Sequence, residues 1–296
     1  MRHFLLVLIL AAGAAGCQAP STPSITPPPA EGVQVGAFFK GASASGVLGP
    51  FDLAFEEAVD SAQDTVIVVF NDGTGAVGKD GACLPGNMPR FIRDWGRSGI
   101  DGHDVVVFYL CSDVVETTAE VLGQERAEED KALLDRLIAL GVPPEHIFIL
   151  GHSSGASAAL LAAGQAPGKF NAAVVAAPGY GYAYAEGDDR SAAELQMLER
   201  LNETWRGALA RLDRMSALVY LFEGDTYTPP EDAMFLADLP GIELIVVGAA
   251  DATGALCPGG PRPHFYWWSS CFREDGKKTI EAYIVDRLQK SEPASS

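Results

Sequence analysis

The sequence Gly151-His152-Ser153-Ser154-Gly155 lies between an apolar run and a run of small helix-forming residues. The apolar run, His146 to Leu150 (HIFIL), predicts a buried strand, and Ala156 to Ala163 (ASAALLAA) predicts a helix. A strand that turns sharply into a helix through G-x-S-x-G is typical of a nucleophile elbow. The turn strains the backbone of Ser153, and the residues two places away must lack side chains because the strand and the helix nearly touch. The pattern and its context together predict that Ser153 is a nucleophile.

Other apolar runs alternate with amphipathic segments along the chain. The predicted buried strands are Val33 to Phe39, Thr65 to Phe70, Asp104 to Leu110, Ala172 to Ala177, Ala217 to Phe222 and Ile242 to Val247. The predicted helices are Phe51 to Ala62, Ala127 to Leu140, Ala192 to Leu212 (with Leu195 and Trp205 on its apolar side) and Lys278 to Leu288. This alternation predicts an α/β fold with a mainly parallel central sheet and helices on both faces. Ligands of such sheets bind at the carboxyl ends of the strands.

A serine hydroxyl is a weak nucleophile until a base takes its proton, and the base needs an orienting carboxylate. In chains with this elbow the acid and then the histidine follow the serine. Of the five histidines, only His264 follows Ser153, and it comes after the last predicted strand. His264 is therefore the candidate base, and a structural surface histidine is the alternative.

The candidate acid is Asp225, which follows the predicted strand Ala217 to Phe222 behind Gly224. A carboxylate there projects from the carboxyl edge of the sheet, and the Thr-Pro-Pro segment that follows would fix its loop. Other acidic residues compete for the role, namely Glu223, Asp232 and Asp251. A turn or helix-capping role is the structural alternative for Asp225.

Acyl transfer also needs donors for the developing oxyanion, each worth about 3 kcal/mol. The backbone N–H of Ser154 is the first predicted donor. The second should come from the loop Asn71 to Gly75, with Thr74 preferred over Gly73.

Composition and spacing argue against several other classes of function. The formal net charge of −18 disfavours nucleic acid and anionic membrane surfaces as partners. Gly73 to Gly78 matches G-x-G-x-x-G, and Gly73 to Lys79 nearly matches a phosphate-binding loop. Both motifs require a helix to start at the loop, which the following Gly81, Pro85 and Gly86 disfavour. No histidine, cysteine or acidic cluster has metal-ligand spacing, so we expect no metal and no cofactor.

The first residues predict export. Residues 1–16 carry a short basic start, an apolar run and a small-residue end, as in a secretory signal peptide. The sequence Ala14-Ala15-Gly16-Cys17 resembles the bacterial lipobox, which implies lipidation (including palmitate) of Cys17; ordinary signal cleavage is the alternative. A Pro-rich tether follows at 17–32, then a catalytic domain at 33–290 and a disordered tail at 291–296. The expected location is the cell envelope, lipid-anchored, and the outer membrane in a Gram-negative cell, because Gln18 gives no inner-membrane retention signal.

Four further cysteines suggest two disulfides, as expected for an exported chain, and buried free thiols are the alternative. Three pairings are possible, and proximity in the sequence favours Cys83 with Cys111 and Cys257 with Cys271. The second pair flanks His264 and the aromatic run Phe265 to Trp268, which is either a wall of the acyl pocket or hydrophobic core.

The span from Thr65 to Leu288 resembles the α/β-hydrolase superfamily, and "GVPPEHIFILGHSSGASAALLAA" is most similar to its dienelactone-hydrolase and prolyl-oligopeptidase-like esterase groups. The resemblance implies the α/β-hydrolase fold, a triad of Ser153, Asp225 and His264, and cleavage of small carboxylic esters through an acyl-serine. Two features depart from the family pattern. Asp72 replaces the histidine of the His-Gly-x-Gly oxyanion loop, and Val33 to Gln63 lacks the usual antiparallel strand pair. A serine peptidase and a non-catalytic envelope lipoprotein that binds a ligand or partner are the alternative functions.

Overall fold

The computed structural model describes residues 35–40, 49–50, 55–56, 58–73, 85–112, 114, 119–179, 191–213, 215–248 and 263–291. The chain divides into two units, Met1–Glu31 and Gly32–Ser296, and every described residue belongs to the second unit. The predicted signal peptide and Pro-rich tether lie outside the described residues. So does the predicted tail except for Ser291, which ends the last helix.

The described strands form one eight-stranded sheet with the order β2-β1-β4-β3-β5-β6-β7-β8. From β4 to β8 all neighbouring strands are parallel. In chain order the strands are β1 (Val35–Phe39), β2 (Gly49–Pro50), β3 (Val66–Asn71), β4 (Val105–Cys111), β5 (Ile147–His152), β6 (Ala172–Ala176), β7 (Ala217–Phe222) and β8 (Ile242–Val247). The mainly parallel sheet predicted from the apolar runs is confirmed.

The first edge of the sheet corrects the expectation that the antiparallel pair is missing. Strand β1 runs antiparallel to β4, and the two-residue strand β2 runs antiparallel to β1. A two-residue strand is too short to show hydrophobic alternation, so the sequence pattern could not reveal it.

Helices cover both faces of the sheet. They are α1 (Arg90–Ser98), α2 (Ala119–Ala139), α3 (Ser154–Gln165), α4 (Ala192–Leu209), α5 (Pro230–Ala233) and α6 (Ser270–Ser291), with 3₁₀ turns at Pro85–Asn87, Pro144–His146, Met234–Asp238 and Pro263–Trp268. Helices α2, α3 and α4 pack into one apolar core with the sheet, and α1 and α6 pack into the other. Strand β3 alternates between the cores: Ile67 and Val69 enter the first, while Val68 and Phe70 enter the second.

Several predicted helix bounds differ from the structure. Helices α2 and α6 each begin eight residues before their predicted starts at Ala127 and Lys278. Helix α1 was not predicted, although Phe91, Ile92 and Trp95 are buried at helical spacing. Of the predicted helix Phe51 to Ala62, residues 55, 56 and 58 are helical, and the chain has left the helix by Val59. Helix starts are poorly marked in the sequence wherever capping side chains are missing, as at Pro89 before α1.

Two predictions of burial are wrong. Strand β8 is the last strand of the sheet and is only partly buried, with Val246 40% exposed. Leu195, predicted on the apolar side of α4, is 51% exposed, whereas Trp205 is buried as predicted. Both errors arise because apolar content alone does not tell which strand lies at an edge or where a helix leaves the core.

Over the residues described, the structure has no helix that is both long and apolar enough to span a bilayer.

Candidate active site

Ser153 lies at the tip of the turn between β5 and α3, with φ of 54° and ψ of −123°. A non-glycine residue with positive φ is strained, and the surrounding packing must hold it there. That packing leaves no room for side chains on either flank. A Cβ atom built on Gly151 would lie 2.5 Å from the carbonyl oxygen of Gly155, and one built on Gly155 would lie 2.5 Å from that of Asp72. The local geometry is therefore the one that the G-x-S-x-G pattern predicts.

His264 and Asp225 form a buried hydrogen-bonded pair. The His264 Nδ1 and Asp225 Oδ2 atoms are 2.8 Å apart, and the two residues are 4% and 3% exposed. Asp225 follows β7 through Gly224, whose φ of 77° allows the chain to reverse directly after the strand. The other carboxylate oxygen of Asp225 accepts hydrogen bonds from the backbone N–H groups of Tyr227 and Thr228, at 2.8 and 3.1 Å. Asp225 is thus fixed as an acceptor for a protonated Nδ1, which leaves Nε2 as the basic nitrogen.

The surroundings of His264 lower its pKa below the ordinary histidine value. Burial is the largest cause, and the nearby His152 ring acts in the same direction. The hydrogen bond and charge of Asp225 oppose the shift without cancelling it. The lowered pKa favours the neutral imidazole, which is the form that can accept a proton.

His152 connects the elbow to the histidine loop. Its Nε2 donates a hydrogen bond of 2.8 Å to the backbone carbonyl oxygen of His264, and the two imidazole centroids are 4.8 Å apart. The residue next to Ser153 thus contacts the candidate base directly. Ser153 and His264 are both among the described residues, and no hydrogen bond joins the Ser153 hydroxyl to the His264 imidazole. Such bonds are often long in ligand-free sites.

The predicted oxyanion donors are only partly described. Ser154 is the first residue of α3, so its N–H is at the helix start beside Ser153. The N–H of Gly73 already donates to Asp72 Oδ1 at 2.7 Å, which favours Thr74 over Gly73 as the second donor. Thr74 lies outside the described residues, so its role stays a prediction.

Comparison with known proteins found similarity only in structure. No protein-family model matches the chain, and no curated protein matches it in sequence. A monoacylglycerol lipase from Paleococcus ferrophilus is 14% identical with a TM-score of 0.52, and the match covers 75% of this chain and 94% of the lipase. The carboxylesterase EstE1 from a metagenomic library is 15% identical with a TM-score of 0.52, covering 88% of this chain and 90% of that one. Esterase 2 of Thermogutta terrifontis, phosphonylated by sarin, is 14% identical with a TM-score of 0.53, covering 88% and 97%.

This chain has the α/β-hydrolase fold. The parallel sheet, the helices on both faces and these structural neighbours agree on it. At such low identity the neighbours establish the fold alone, and the chemistry depends on the residues of this site.

Asp72, where this chain departs from the His-Gly-x-Gly pattern, belongs to a largely buried polar network. Asp72 Oδ2 accepts a hydrogen bond from the Tyr109 hydroxyl at 2.9 Å, and the backbone carbonyl of Asp72 accepts one from Arg126 at 2.6 Å. Asp72 Oδ1 also lies 3.8 Å from His152 Nδ1. Burial and the Asp72 charge both raise the pKa of Tyr109, so the phenol stays protonated and donates.

One helical turn further along α2, Asp130 extends the same network. Its Oδ1 accepts a hydrogen bond of 2.6 Å from the side-chain amide of Asn71, the last residue of β3, and its Oδ2 has no hydrogen-bond partner among the described residues. Burial raises the pKa of Asp130 to about 7. The sequence interpretation missed Arg126 and Asp130. The signal was present in the sequence, because these two charged residues are four apart and share one helix face with the buried residues Leu133 and Leu137.

The aromatic run after His264 is buried in the core only in part, and its role as a wall of the acyl pocket stays a prediction. Tyr266 and Trp267 are buried in the core under α6, whereas Phe265 is 39% exposed. The Phe265 ring lies edge-on to His264, with centroids 5.2 Å apart. Tyr227, which was not predicted, lies 4.7 Å from the same imidazole in centroid distance. Phe265 and Tyr227 therefore both border the candidate base.

The remaining predicted residues have other positions or are not described. Asp232 contacts Arg206 on α4 through an ion pair of 3.2 Å, and Asp251 lies outside the described residues. Cys111 ends β4 and Cys271 is the second residue of α6, but Cys83 and Cys257 are not described, so the disulfide pairing stays a prediction. Within the described ranges no group of three or more histidine, cysteine or acidic residues could hold a metal ion.

Proposed function

We propose that this protein is a serine hydrolase that cleaves small carboxylic esters through an acyl-enzyme on Ser153. One observation carries the proposal: the buried His264–Asp225 pair lies at the same carboxyl edge of the sheet as the strained elbow, and His152 links the two. A strained serine turn, a neutral buried imidazole and an orienting carboxylate are the parts that nucleophilic acyl transfer requires. The esterase and lipase structures that share the fold support the same class of substrate.

In the proposed reaction, Ser153 Oγ attacks the ester carbonyl carbon while His264 Nε2 takes the hydroxyl proton. Asp225 stabilises the resulting imidazolium through Nδ1–H. The carbonyl oxygen becomes an oxyanion beside the N–H of Ser154, with Thr74 as the second donor. His264 then gives its proton to the departing alcohol, and a water molecule, activated by the same imidazole, releases the acid and restores Ser153.

Covalent labelling with a fluorophosphonate probe tests the proposal. The folded wild type is expected to be labelled once, on Ser153, and Ser153→Ala is expected to remain unlabelled. Hydrolysis of p-nitrophenyl esters of graded acyl length then shows which acyl chain lengths the enzyme accepts. A folded wild type that resists the probe, or equal labelling of Ser153→Ala, contradicts the proposed chemistry.

The missing hydrogen bond between Ser153 and His264 favours one alternative, a non-catalytic protein of the same fold that binds a ligand in the envelope. This alternative predicts no labelling and no ester hydrolysis, so the same experiment separates the two functions. A serine peptidase would also be labelled, and it differs in cleaving peptide p-nitroanilides, which an esterase leaves largely intact.

We also propose that the enzyme is exported and lipid-anchored at Cys17. The support is the sequence of residues 1–17, with its basic start, apolar run and lipobox-like end. Lipid chains contribute about 0.8 kcal/mol for each buried CH₂ group, so multiple acylation would hold the body firmly at a membrane. Cys17→Ser should shift the protein from the membrane fraction to the soluble fraction. Equal partitioning of this variant and the wild type would contradict the anchor.

A further inference from the structure

The proposed oxyanion hole draws on two segments. One is the start of α3 at Ser154, and the other is the loop after β3, whose described residues Asp72 and Gly73 lie against the elbow. Gly155 faces the carbonyl oxygen of Asp72, and a Cβ built on Gly73 would lie 3.0 Å from Ser153 Cβ. A shift of either segment by a fraction of an ångström would misalign the two donors, because donors must lie about 2.7–3.1 Å from the oxyanion.

Arg126 contacts both segments with one guanidinium group. One terminal nitrogen donates a hydrogen bond of 2.7 Å to the Ser154 hydroxyl, and the other donates one of 2.6 Å to the backbone carbonyl oxygen of Asp72. Arg126 is 3% exposed and sits on α2, which packs against α3 in the same core. The planar guanidinium has a fixed spacing between its donors, so it sets the separation of its two partners.

We propose that Arg126 is a positioning residue for the oxyanion hole, holding the Ser154 and Asp72 segments at the spacing that the transition state requires. The inference rests on the proposed function and adds a residue that the triad does not include. Arg126 acts through Ser154 and Asp72 and touches no reacting atom. Its loss should therefore lower the rate of the chemical step more than the affinity for substrate.

The charge of Arg126 adds to the effect of its geometry. Burial lowers its pKa, while Asp130, Glu129 and Asp72 oppose the shift, and an arginine remains protonated under such conditions. Both of its hydrogen bonds end on neutral oxygens rather than on a carboxylate. The carboxylate of Asp72 is turned away to Tyr109 and to the N–H of Gly73. A buried positive charge thus lies next to the residue whose N–H faces the developing oxyanion, where it favours negative charge.

Steady-state kinetics of Arg126→Lys and Arg126→Gln with a p-nitrophenyl ester test the proposal. For the fraction of protein that is folded, kcat should fall about tenfold or more for Lys and further for Gln, with KM changed less than about threefold. The lysine variant keeps the charge but loses the two-pronged geometry, so the difference between the variants separates the two contributions. Wild-type kcat in folded Arg126→Gln would overturn the inference.

Two further measurements distinguish positioning from a merely structural role. Millimolar guanidinium should restore part of kcat in Arg126→Ala, whereas lost stability would not be repaired by a denaturant. Ser154→Ala removes one of the two contacts but keeps the backbone donor, so it should lower kcat by an intermediate factor. These two measurements keep the inference testable even if Arg126→Gln does not fold. The inference is overturned if guanidinium does not restore kcat in Arg126→Ala and Ser154→Ala also has wild-type kcat. If the wild type itself is neither labelled nor active, the proposed function fails rather than the role of Arg126.

Discussion

At the scale of single residues, the proposed mechanism depends on Asp225, which holds the His264 imidazole through Nδ1. Replacing Asp225 by Asn keeps the shape but offers His264 an amide whose N–H₂ group can favour the wrong imidazole tautomer. We expect Asp225→Asn to lower kcat about a thousandfold or more, as loss of an orienting carboxylate does in serine hydrolases. Ester hydrolysis measured beside a thermal unfolding curve checks this. A folded variant within about tenfold of wild-type kcat would exclude Asp225 as the acid.

The lowered pKa of His264 predicts the acid limb of the pH profile. Attack requires neutral His264, so kcat/KM should rise with pH through the pKa of this residue in the free enzyme. Because burial lowers that pKa, the midpoint should lie below the ordinary value of about 6.5. A pH series of kcat/KM with a neutral ester measures it directly. A midpoint above the ordinary histidine value would contradict the burial argument.

At the scale of elements, the elbow requires glycine for reasons of space. Gly155 is in the first turn of α3, where alanine would normally favour the helix, but its Cβ would collide with the backbone carbonyl of Asp72. We expect Gly155→Ala to destabilise the protein by about 2 kcal/mol or more, because two backbone segments would have to separate. Urea unfolding measures the change.

Gly86 provides the matched control for that substitution. A Cβ built there meets nothing within 4 Å, so Gly86→Ala should change stability by less than about 0.5 kcal/mol. Equal unfolding midpoints for the two alanine variants would show that the close approach at the elbow is not what demands glycine.

The buried charges on α2 predict a pH-dependent stability. The pKa of Asp130 is about 7 in the folded protein and about 3.9 when unfolded. The folded state therefore binds more protons between these values, and this residue's contribution to stability falls as pH rises from about 4 to about 7. Asp130→Asn cannot titrate and still offers an acceptor to Asn71. The free energy of unfolding of Asp130→Asn, relative to that of wild type, should therefore increase by about one to a few kcal/mol as the pH rises through that range.

Urea unfolding of Asp130→Asn and wild type at several pH values tests this prediction. Asp135 on the same helix is exposed and pairs with Lys169 at the surface, so Asp135→Asn is the control. Its difference from wild type should stay below about 1 kcal/mol. A stability difference for Asp130→Asn that does not change with pH would contradict the assignment.

These elements show where sequence patterns were sufficient and where they were not. The elbow was predictable because its strand, turn and helix are contiguous, so the demand on each residue is local. Arg126 and Asp130 were missed because charged residues on a helix ordinarily face solvent. Their burial makes sense only once Asn71 and Asp72, more than fifty residues earlier in the chain, are placed against them.

At the scale of the whole molecule, the described sheet and site lie within Gly32–Ser296. A chain that lacks Met1–Glu31 should therefore keep the kcat/KM and the unfolding midpoint of the full chain. Parallel purification and assay of the two forms checks this. A large loss of activity or stability in the shorter form would show that the first unit contributes to the fold or the site.

The sequence by itself determined the mainly parallel sheet, the elbow at Ser153 and the order in which Asp225 and His264 follow it. Those features depend on short-range patterns: apolar runs of strand length, a Gly-x-Ser-x-Gly turn and polar residues directly after strands. Only the tertiary structure decided that β1 and β2 close an antiparallel edge and that β8 is partly exposed. It also decided that Arg126 joins the elbow to the loop at Asp72. Those features depend on which surfaces meet across long separations in the chain, and no local pattern encodes that choice.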